Sequence, residues 1–198
     1  MTYDTIFRPL ALLIFVSGVG IGFYFRYKAQ RAGERISNLE EGVWTMILLR
    51  TAGFSVWLGI LAYLINPRWM AWAAFDVPLW LRWFGVGMGI ITVPLFYWLF
   101  SSIGKNITTT VAIRAEHQLV THGPYRWVRH PLYTVGTAAF LAQGLMAANA
   151  FILVMNVLAF IMLMIRLPLE EARLIEAFGD AYRHYQQRTG ALLPRWTR

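Results

Sequence analysis

The residues that could do chemistry begin at His117 and gather just before an apolar run. A Gly123-Pro124 turn signal is followed by His130, which directly precedes Pro131. A residue before proline is biased toward extended backbone, and proline suits the first position of a helix. We therefore predict a cofactor-binding cytoplasmic loop that ends at a helix N-terminus. The N–H groups of such a terminus favour an anionic ligand atom, for example a carboxylate oxygen.

A second polar stretch follows the apolar run. It places Arg166 four residues before Glu170, with Glu171 next and Pro168 between them. Pro168 is expected to start a new helix with the two acids in its first turn, where the helix dipole favours negative charge. Apolar residues then recur at helical spacing as far as Tyr185, which predicts a cytoplasmic C-terminal amphipathic helix. The spacing alone also fits a structural ion pair between the arginine and the first glutamate.

Composition sets the environment in which these stretches must fold. Hydrophobic residues make up 58 % of the 198 residues, charged residues only 14 %, and nine tryptophans and nine tyrosines are present. A soluble domain usually carries about a quarter charged residues, and aromatic rings of this kind concentrate at membrane interfaces. The chain is therefore predicted to be an all-α integral membrane protein.

Apolar stretches near the ~20 residues needed to cross a bilayer predict five transmembrane helices. The first three are Pro9–Phe25, Val43–Ile65 and Leu79–Phe100. The run Leu132–Leu167 is too long for one span and predicts a fourth and a fifth helix joined by a tight turn near Asn149. We expect one membrane domain over 1–198, with a three-helix part at 1–100 and a catalytic part at 101–198.

The distribution of basic residues predicts the orientation. The 26–42 linker, the 101–130 segment and the tail from Arg166 hold 14 of the 18 lysines and arginines, and such residues favour the cytoplasmic side. The N-terminus is therefore expected outside and the C-terminus in the cytoplasm. The net charge of +8 is explained by this topology and by anionic headgroups, so nucleic acid is not an expected partner. With no cysteine, disulfides and thiolate catalysis are excluded.

Glycine pairs and one arginine stand out inside the apolar spans. Gly18 and Gly22, like Gly85 and Gly89, have the four-residue spacing that lets two helices approach closely. Packing is the expected role, since no preceding strand supports a phosphate loop. Arg50 lies inside the second span, where a charge must reach the interface, find a partner or face an aqueous cavity.

The two polar stretches resemble the isoprenylcysteine carboxyl methyltransferase family and the related phospholipid methyltransferases. The matching positions are His117, Leu119, Val120, Gly123, Pro124, Tyr125, Arg129, His130, Pro131, Tyr133, Arg166, Pro168, Glu170 and Glu171. The resemblance covers nearly half the chain. It implies an S-adenosylmethionine-dependent membrane methyltransferase that acts on a lipid, a lipidated acceptor or another lipophilic small molecule from the bilayer.

The same resemblance implies roles for individual residues. The cofactor would be lined by His117, Gln118, Leu119, Val120, Tyr125, His130, Pro131, Leu132, Tyr133 and Glu170. Arg166 and Glu170 would be the catalytic pair, with Arg166 facing the group to be methylated. A carboxylate acceptor could be held by an arginine without a base, whereas an amine acceptor would need one, from Glu171 or His130. Methyl transfer from a sulfonium needs no metal, and none is expected.

Two other functions remain open on the sequence. Sterol reductases have a similar helical architecture toward their C-termini, so an NADPH-dependent membrane reductase is one alternative. A non-enzymatic membrane binding module is the other. The sequence does not distinguish carboxylate O-methylation from phospholipid N-methylation, and it does not indicate the oligomeric state.

Overall fold

The computed structural model describes residues 3–30, 43–104 and 119–195. Short 3-10 helices lie at Pro67–Ala73 and Gly123–Arg126. The α-helices in these ranges are α1 (Asp4–Gln30), α2 (Val43–Ile65), α3 (Leu79–Ile103), α4 (Pro131–Ala147), α5 (Ala150–Phe178) and α6 (Asp180–Arg188). The prediction of an all-α fold is therefore confirmed over the described part of the chain.

Four of the helices in the described ranges, α1, α2, α3 and α5, are long and apolar enough to cross a membrane. The chain is an integral membrane protein. Helix α4 has 17 residues, or about 26 Å at 1.5 Å per residue, slightly less than the ~30 Å of a bilayer core. The fifth span, which requires α4 to cross, stays a prediction.

The predicted hairpin between α4 and α5 is confirmed, and its turn lies at Ala148 and Asn149. Ala148 ends α4 in the left-handed conformation, with a φ of 48°. The Asn149 side-chain oxygen caps α5 by accepting from the Ile152 amide at 3.2 Å. Its amide group donates to the Met70 carbonyl at 2.9 Å, so the turn is also tied to the segment before α3.

Two arginines close the end of the bundle at which α1 begins. Arg8 donates to the Leu64 carbonyl at 2.8 Å, at the end of α2. Arg82, which is 4 % exposed, donates to the Met146 carbonyl of α4 at 2.9 Å and pairs with Asp4 at 3.0 Å. These bonds satisfy carbonyls that a helix C-terminus leaves without an intrahelical partner. Because α1 and α3 begin where α2 and α4 end, consecutive helices run antiparallel.

The glycine pairs both pack against neighbouring helices, but at different distances. A Cβ at Gly85 would lie 3.1 Å from the Ala142 carbonyl oxygen of α4, and one at Gly89 would lie 3.0 Å from Ile14 of α1. The predicted close approach is confirmed for this pair. The pair on α1 would meet aromatic rings of α3 at 3.7 Å, so it packs without bringing the two backbones close.

Arg50 lies on the exposed side of α2, within two turns of the start of that helix. A long cationic side chain at such a position can extend along apolar surface to the membrane interface. The location fits interface anchoring and does not place the residue in the interior of the bundle.

The predicted helix start at Pro168 is wrong. Pro168 lies inside α5, which continues to Phe178. A proline inside a helix removes one hydrogen bond, and membrane helices tolerate this where neighbouring groups compensate. The break comes instead at Gly179, whose φ is 55°, a conformation that glycine adopts without steric cost. The C-terminal amphipathic helix is therefore the separate α6, which buries Tyr182 and Tyr185.

We predict that Gly85→Leu destabilises the bundle and that Gly87→Leu does not. A leucine at Gly85 must enter the contact with α4, and overpacking of this kind costs about 1–3 kcal/mol. Gly87, two residues away on the exposed face, has no atom within 4 Å of an added Cβ. Thermal unfolding of the purified variants in detergent measures the difference, and equal midpoints for the two variants would contradict the prediction.

Candidate cofactor site

The candidate site lies at the end of the bundle opposite the arginine caps, where α4 begins and α5 leaves the apolar region. Because α4 and α5 run antiparallel from a turn at Ala148 and Asn149, residues equally far from that turn lie at the same height. Pro131 is therefore level with Arg166, and Glu170 lies about one turn, or roughly 6 Å, beyond it. The hairpin alone brings the two polar stretches together.

His130 stands between two carboxylates. Its Nδ1 lies 3.7 Å from Oε1 of Glu170, and its Nε2 lies 3.3 Å from Oε1 of Glu171. The Tyr133 hydroxyl donates to the other oxygen of Glu170. The His130 and Tyr133 rings stack with centroids 5.4 Å apart. Four of the residues singled out from the sequence thus form one polar cluster.

Arg129, one residue earlier, joins this cluster to the C-terminal segment. Its Nε donates to Oε1 of Glu171 at 2.8 Å, and its Nη1 donates to the carbonyls of Gln186, at 3.2 Å, and Thr189. Gln186 in turn donates to Oε2 of Glu171 at 3.0 Å. Glu171 therefore accepts hydrogen bonds on both oxygens from groups that shape the site.

The helix N-terminus predicted at Pro131 is confirmed. His130 is the N-cap residue, and its side chain makes no capping hydrogen bond. The imidazole is thus directed to the carboxylates rather than to the first turn of α4. Leu132, also in this turn, is 37 % exposed. The apolar side chain of Leu132 and its backbone amide consequently lie together at the edge of the cluster, whereas the Tyr133 amide donates to the His130 carbonyl at 3.1 Å.

The remaining predicted cofactor residues lie at different depths. Tyr125 is buried, in an apolar cluster that includes Val135 of α4, and Val120 packs against the same cluster. Leu119 is half-buried. Arg166 is half-buried on α5, one turn before Glu170. The predicted residues His117 and Gln118 lie outside the described residues.

Helix α6 packs against the loop that contains Tyr125. The Tyr185 hydroxyl donates to the Tyr125 carbonyl, and burial raises the pKa of Tyr185 to about 12. Burial likewise raises the pKa of Tyr125 and of Tyr182. All three phenols are therefore neutral at physiological pH. The buried Tyr182 hydroxyl makes no hydrogen bond within the described part of the chain.

No motif in the sequence indicates a role for Arg129, Tyr182, Tyr185 or Gln186. Arg129 was visible as part of the matching string, but its partners are 42 to 60 residues away. The two tyrosines belong to the apolar face of the predicted amphipathic helix, and Gln186 follows the end of that prediction. Helical periodicity shows which face is buried, and it does not show which loop covers that face.

Relatives of known activity resemble parts of this chain. Over 123 residues it is 32 % identical to protein-S-isoprenylcysteine O-methyltransferase B of Arabidopsis thaliana, covering 58 % of this chain and 60 % of that one. Over 74 residues it is 40 % identical to methanethiol S-methyltransferase 1 of Bradyrhizobium diazoefficiens, covering 37 % of this chain and 25 % of that one. The chain thus spans less than two thirds of the length of either relative.

The fold is also found in a solved structure. The eukaryotic intramembrane Ras methyltransferase ICMT, an isoprenylcysteine carboxyl methyltransferase, superposes with a TM-score of 0.58. The superposition covers 97 % of this chain and 70 % of that one at 21 % identity. This likeness extends over the first hundred residues, which contain none of the positions of the two polar stretches. Finally, the family model described as phospholipid methyltransferase matches residues 80–181, just over half of the chain. The match begins in α3 and contains α4, all of α5 and the polar cluster between them, so the chain belongs to the phospholipid methyltransferase family.

Proposed function

We propose that this protein transfers the methyl group of S-adenosylmethionine to a lipophilic or lipidated acceptor that enters from the membrane. The observation that carries the proposal is the cluster of His130, Tyr133 and Glu170 at the end of an apolar helical bundle. A water-soluble cofactor and a membrane acceptor can both reach such a position. The names of the relatives, which methylate isoprenylcysteine or methanethiol, agree with it.

The residues present fit the groups of S-adenosylmethionine. The Glu170 side chain is 24 % exposed, so its carboxylate can accept a hydrogen bond from the ligand ammonium. In the first turn of α4 the Leu132 amide can donate to the ligand carboxylate, and the side chains of Leu132 and Val120 offer apolar surface to the flat adenine. The cofactor supplies a methyl group on a sulfonium. The protein then has to align the acceptor with it and exclude water.

Arg166 is proposed to hold the acceptor. It lies on the bilayer side of Glu170, at the level where α4 begins. A guanidinium can bind a carboxylate through two parallel hydrogen bonds, and a carboxylate is already nucleophilic without a base. Glu171 already accepts from Arg129, and Gln186 and His130 lie against it. Those contacts would have to break before Glu171 could accept a proton from an amine, and the side chain of His130, the other candidate base, is only 5 % exposed. We therefore favour O-methylation over N-methylation.

A small thiol is a second candidate acceptor, suggested by the methanethiol S-methyltransferases among the relatives. Its product would be a volatile thioether, whereas methylation of a carboxylate gives a base-labile ester that stays with lipid or protein. The two alternatives to methyl transfer are tested by heat stability. A membrane reductase would be protected by NADPH rather than by S-adenosylmethionine, and a binding module without cofactor would be protected by neither.

The first test concerns cofactor binding. Glu170→Gln removes the charge that would pair with the ligand ammonium, so we expect the Kd for S-adenosylhomocysteine to rise at least about tenfold, as for loss of a charge-assisted hydrogen bond. Glu176→Gln is the matched control, because the Glu176 side chain is 73 % exposed and pairs with Arg173 in the same helix. Calorimetry in detergent measures both. Equal affinities in the two variants would contradict the assignment of Glu170.

The second test concerns the acceptor. Membranes incubated with methyl-labelled S-adenosylmethionine should retain label in the lipid or lipidated-protein fraction, and base should release it. Arg166→Gln should abolish labelling and leave the Kd for S-adenosylhomocysteine within about twofold, because the proposed role of Arg166 is to bind the acceptor and not the cofactor. Label that resists base would identify an N-methyl product, and label only in a volatile fraction would identify a thiol acceptor.

The third test concerns orientation, which we propose to be N-terminus outside and site in the cytoplasm. The chain has no cysteine, so single cysteines can be placed at His184, exposed on α6, and at Trp72, 71 % exposed at the opposite end. A membrane-impermeant maleimide should label Trp72→Cys in intact cells. It should label His184→Cys only after permeabilisation. The reverse pattern would overturn the orientation.

A further inference from the structure

The segment 189–193, which follows α6, pairs with the strip of chain that leads into α4. We call it the C-terminal strap. Gly190 N donates to the Trp127 carbonyl at 3.3 Å, and the Gly190 carbonyl accepts from Arg129 N at 2.9 Å. His130 N donates to the Ala191 carbonyl at 3.0 Å. Val128 and Gly190 form a parallel β-bridge. The backbone amides of Arg129 and His130 therefore have their hydrogen-bond acceptors in the strap.

Side chains reinforce this pairing at both of its ends. The Thr134 hydroxyl donates to the Leu192 carbonyl at 2.7 Å. The Arg129 guanidinium contacts the carbonyls of Gln186 and Thr189 while it also holds Glu171. One arginine thus connects α5, α6 and the strap. A change in the position of the strap must move either this arginine or the carboxylate that it holds.

The strap also has a backbone path that requires glycine. An added Cβ at Gly190 would lie 1.8 Å from the Leu193 carbonyl oxygen, a distance that no real Cβ tolerates. The chain turns back on itself at this point, and only a residue without a side chain leaves room for the turn. The match to the family model ends at residue 181, so this element lies beyond the matched region.

We propose that the C-terminal strap is a positioning element of the cofactor site, with Gly190 and Arg129 as its positioning residues. By pairing with the backbone of Arg129 and His130, the strap holds the imidazole between Glu170 and Glu171. Without it, Trp127, Arg129 and His130 would lose the backbone hydrogen bonds that join them to the strap. The proposal rests on the proposed function, since it assigns to the strap a preorganised site for S-adenosylmethionine.

Reciprocity gives the proposal a measurable form. If an ordered strap favours cofactor binding, then cofactor must favour the ordered strap by the same factor. In the unaltered protein we expect S-adenosylhomocysteine to slow hydrogen–deuterium exchange of the Arg129, His130 and Gly190 amides, which all donate across the pairing. Exchange of amides in the middle of α3 should not change.

The decisive variant is Gly190→Ala, with Gly136→Ala as its matched control. Gly136 lies on α4, one turn after Leu132, and an added Cβ there meets nothing within 4 Å. In Gly190→Ala we expect faster exchange at Arg129 and His130 and a Kd for S-adenosylhomocysteine raised at least about fivefold. The thermal midpoint measured without ligand should stay close to that of Gly136→Ala, which separates positioning from general stability.

The Kd and exchange measurements together decide whether the strap positions the cofactor site. An unchanged Kd in Gly190→Ala, together with fast exchange at His130, would overturn the proposal, because the strap would be loose without consequence for binding. Unchanged hydrogen–deuterium exchange at Arg129 and His130 in Gly190→Ala would overturn the proposal as well. If Gly190→Ala does not fold, Thr134→Val applies the same test by removing one hydrogen bond to the strap, with a smaller rise in Kd expected. If the unaltered protein binds no S-adenosylhomocysteine, the proposed function fails, whereas the exchange data still report whether the strap orders the strip.

Discussion

The turn between α4 and α5 fixes the register of two antiparallel helices, and the geometry of the site depends on that register. Asn149 is 1 % exposed and is held by bonds to Ile152 and Met70. At Gly144, one turn earlier, a Cβ would lie 2.5 Å from the Leu153 side chain, so the helices meet closely beside the turn. A slip of one residue would shift α5 by about 1.5 Å and rotate it by about 100°, which would turn Glu170 away from Tyr133.

The two ends of the bundle differ in how the polar backbone groups at the helix termini are satisfied. At the end with the turn, Arg8 and Arg82 satisfy the carbonyls at the ends of α2 and α4, and both bonds are within the protein. A membrane environment requires this, because an unpaired backbone group in hydrocarbon costs several kcal/mol. At the other end, His130 leaves the first turn of α4 without a side-chain cap. At the first end side chains satisfy the helix carbonyls, whereas at the second the His130 imidazole contacts the two glutamates of α5 instead.

Much of this arrangement could be predicted from the sequence, where the pattern is local. The apolar run of α4 and α5 has Asn149 near its middle, where a hairpin must turn, and Pro131 marks the start of α4. Pro168 gave the wrong boundary because a single proline does not end a helix whose neighbours hold it. The bonds between Arg129 and the strap span about 60 residues. No periodicity encodes such a pairing, which exists only once α5 and α6 have placed the C-terminal segment beside the loop.

The adjacent residues Glu170 and Glu171 form one sequence motif, but their surroundings in the structure differ. Neighbouring residues on a helix point about 100° apart, so Glu170 and Glu171 meet opposite ring nitrogens of His130 and otherwise have different partners. Glu170 faces a tyrosine hydroxyl and the imidazole, and an incoming ammonium can replace the neutral tyrosine donor with a charged one. Glu171 faces Arg129 and Gln186, and replacing either would release the contacts that they make with the C-terminal segment. The pair therefore divides into one acid that can exchange its partner for a ligand and one that holds the surrounding chain in place.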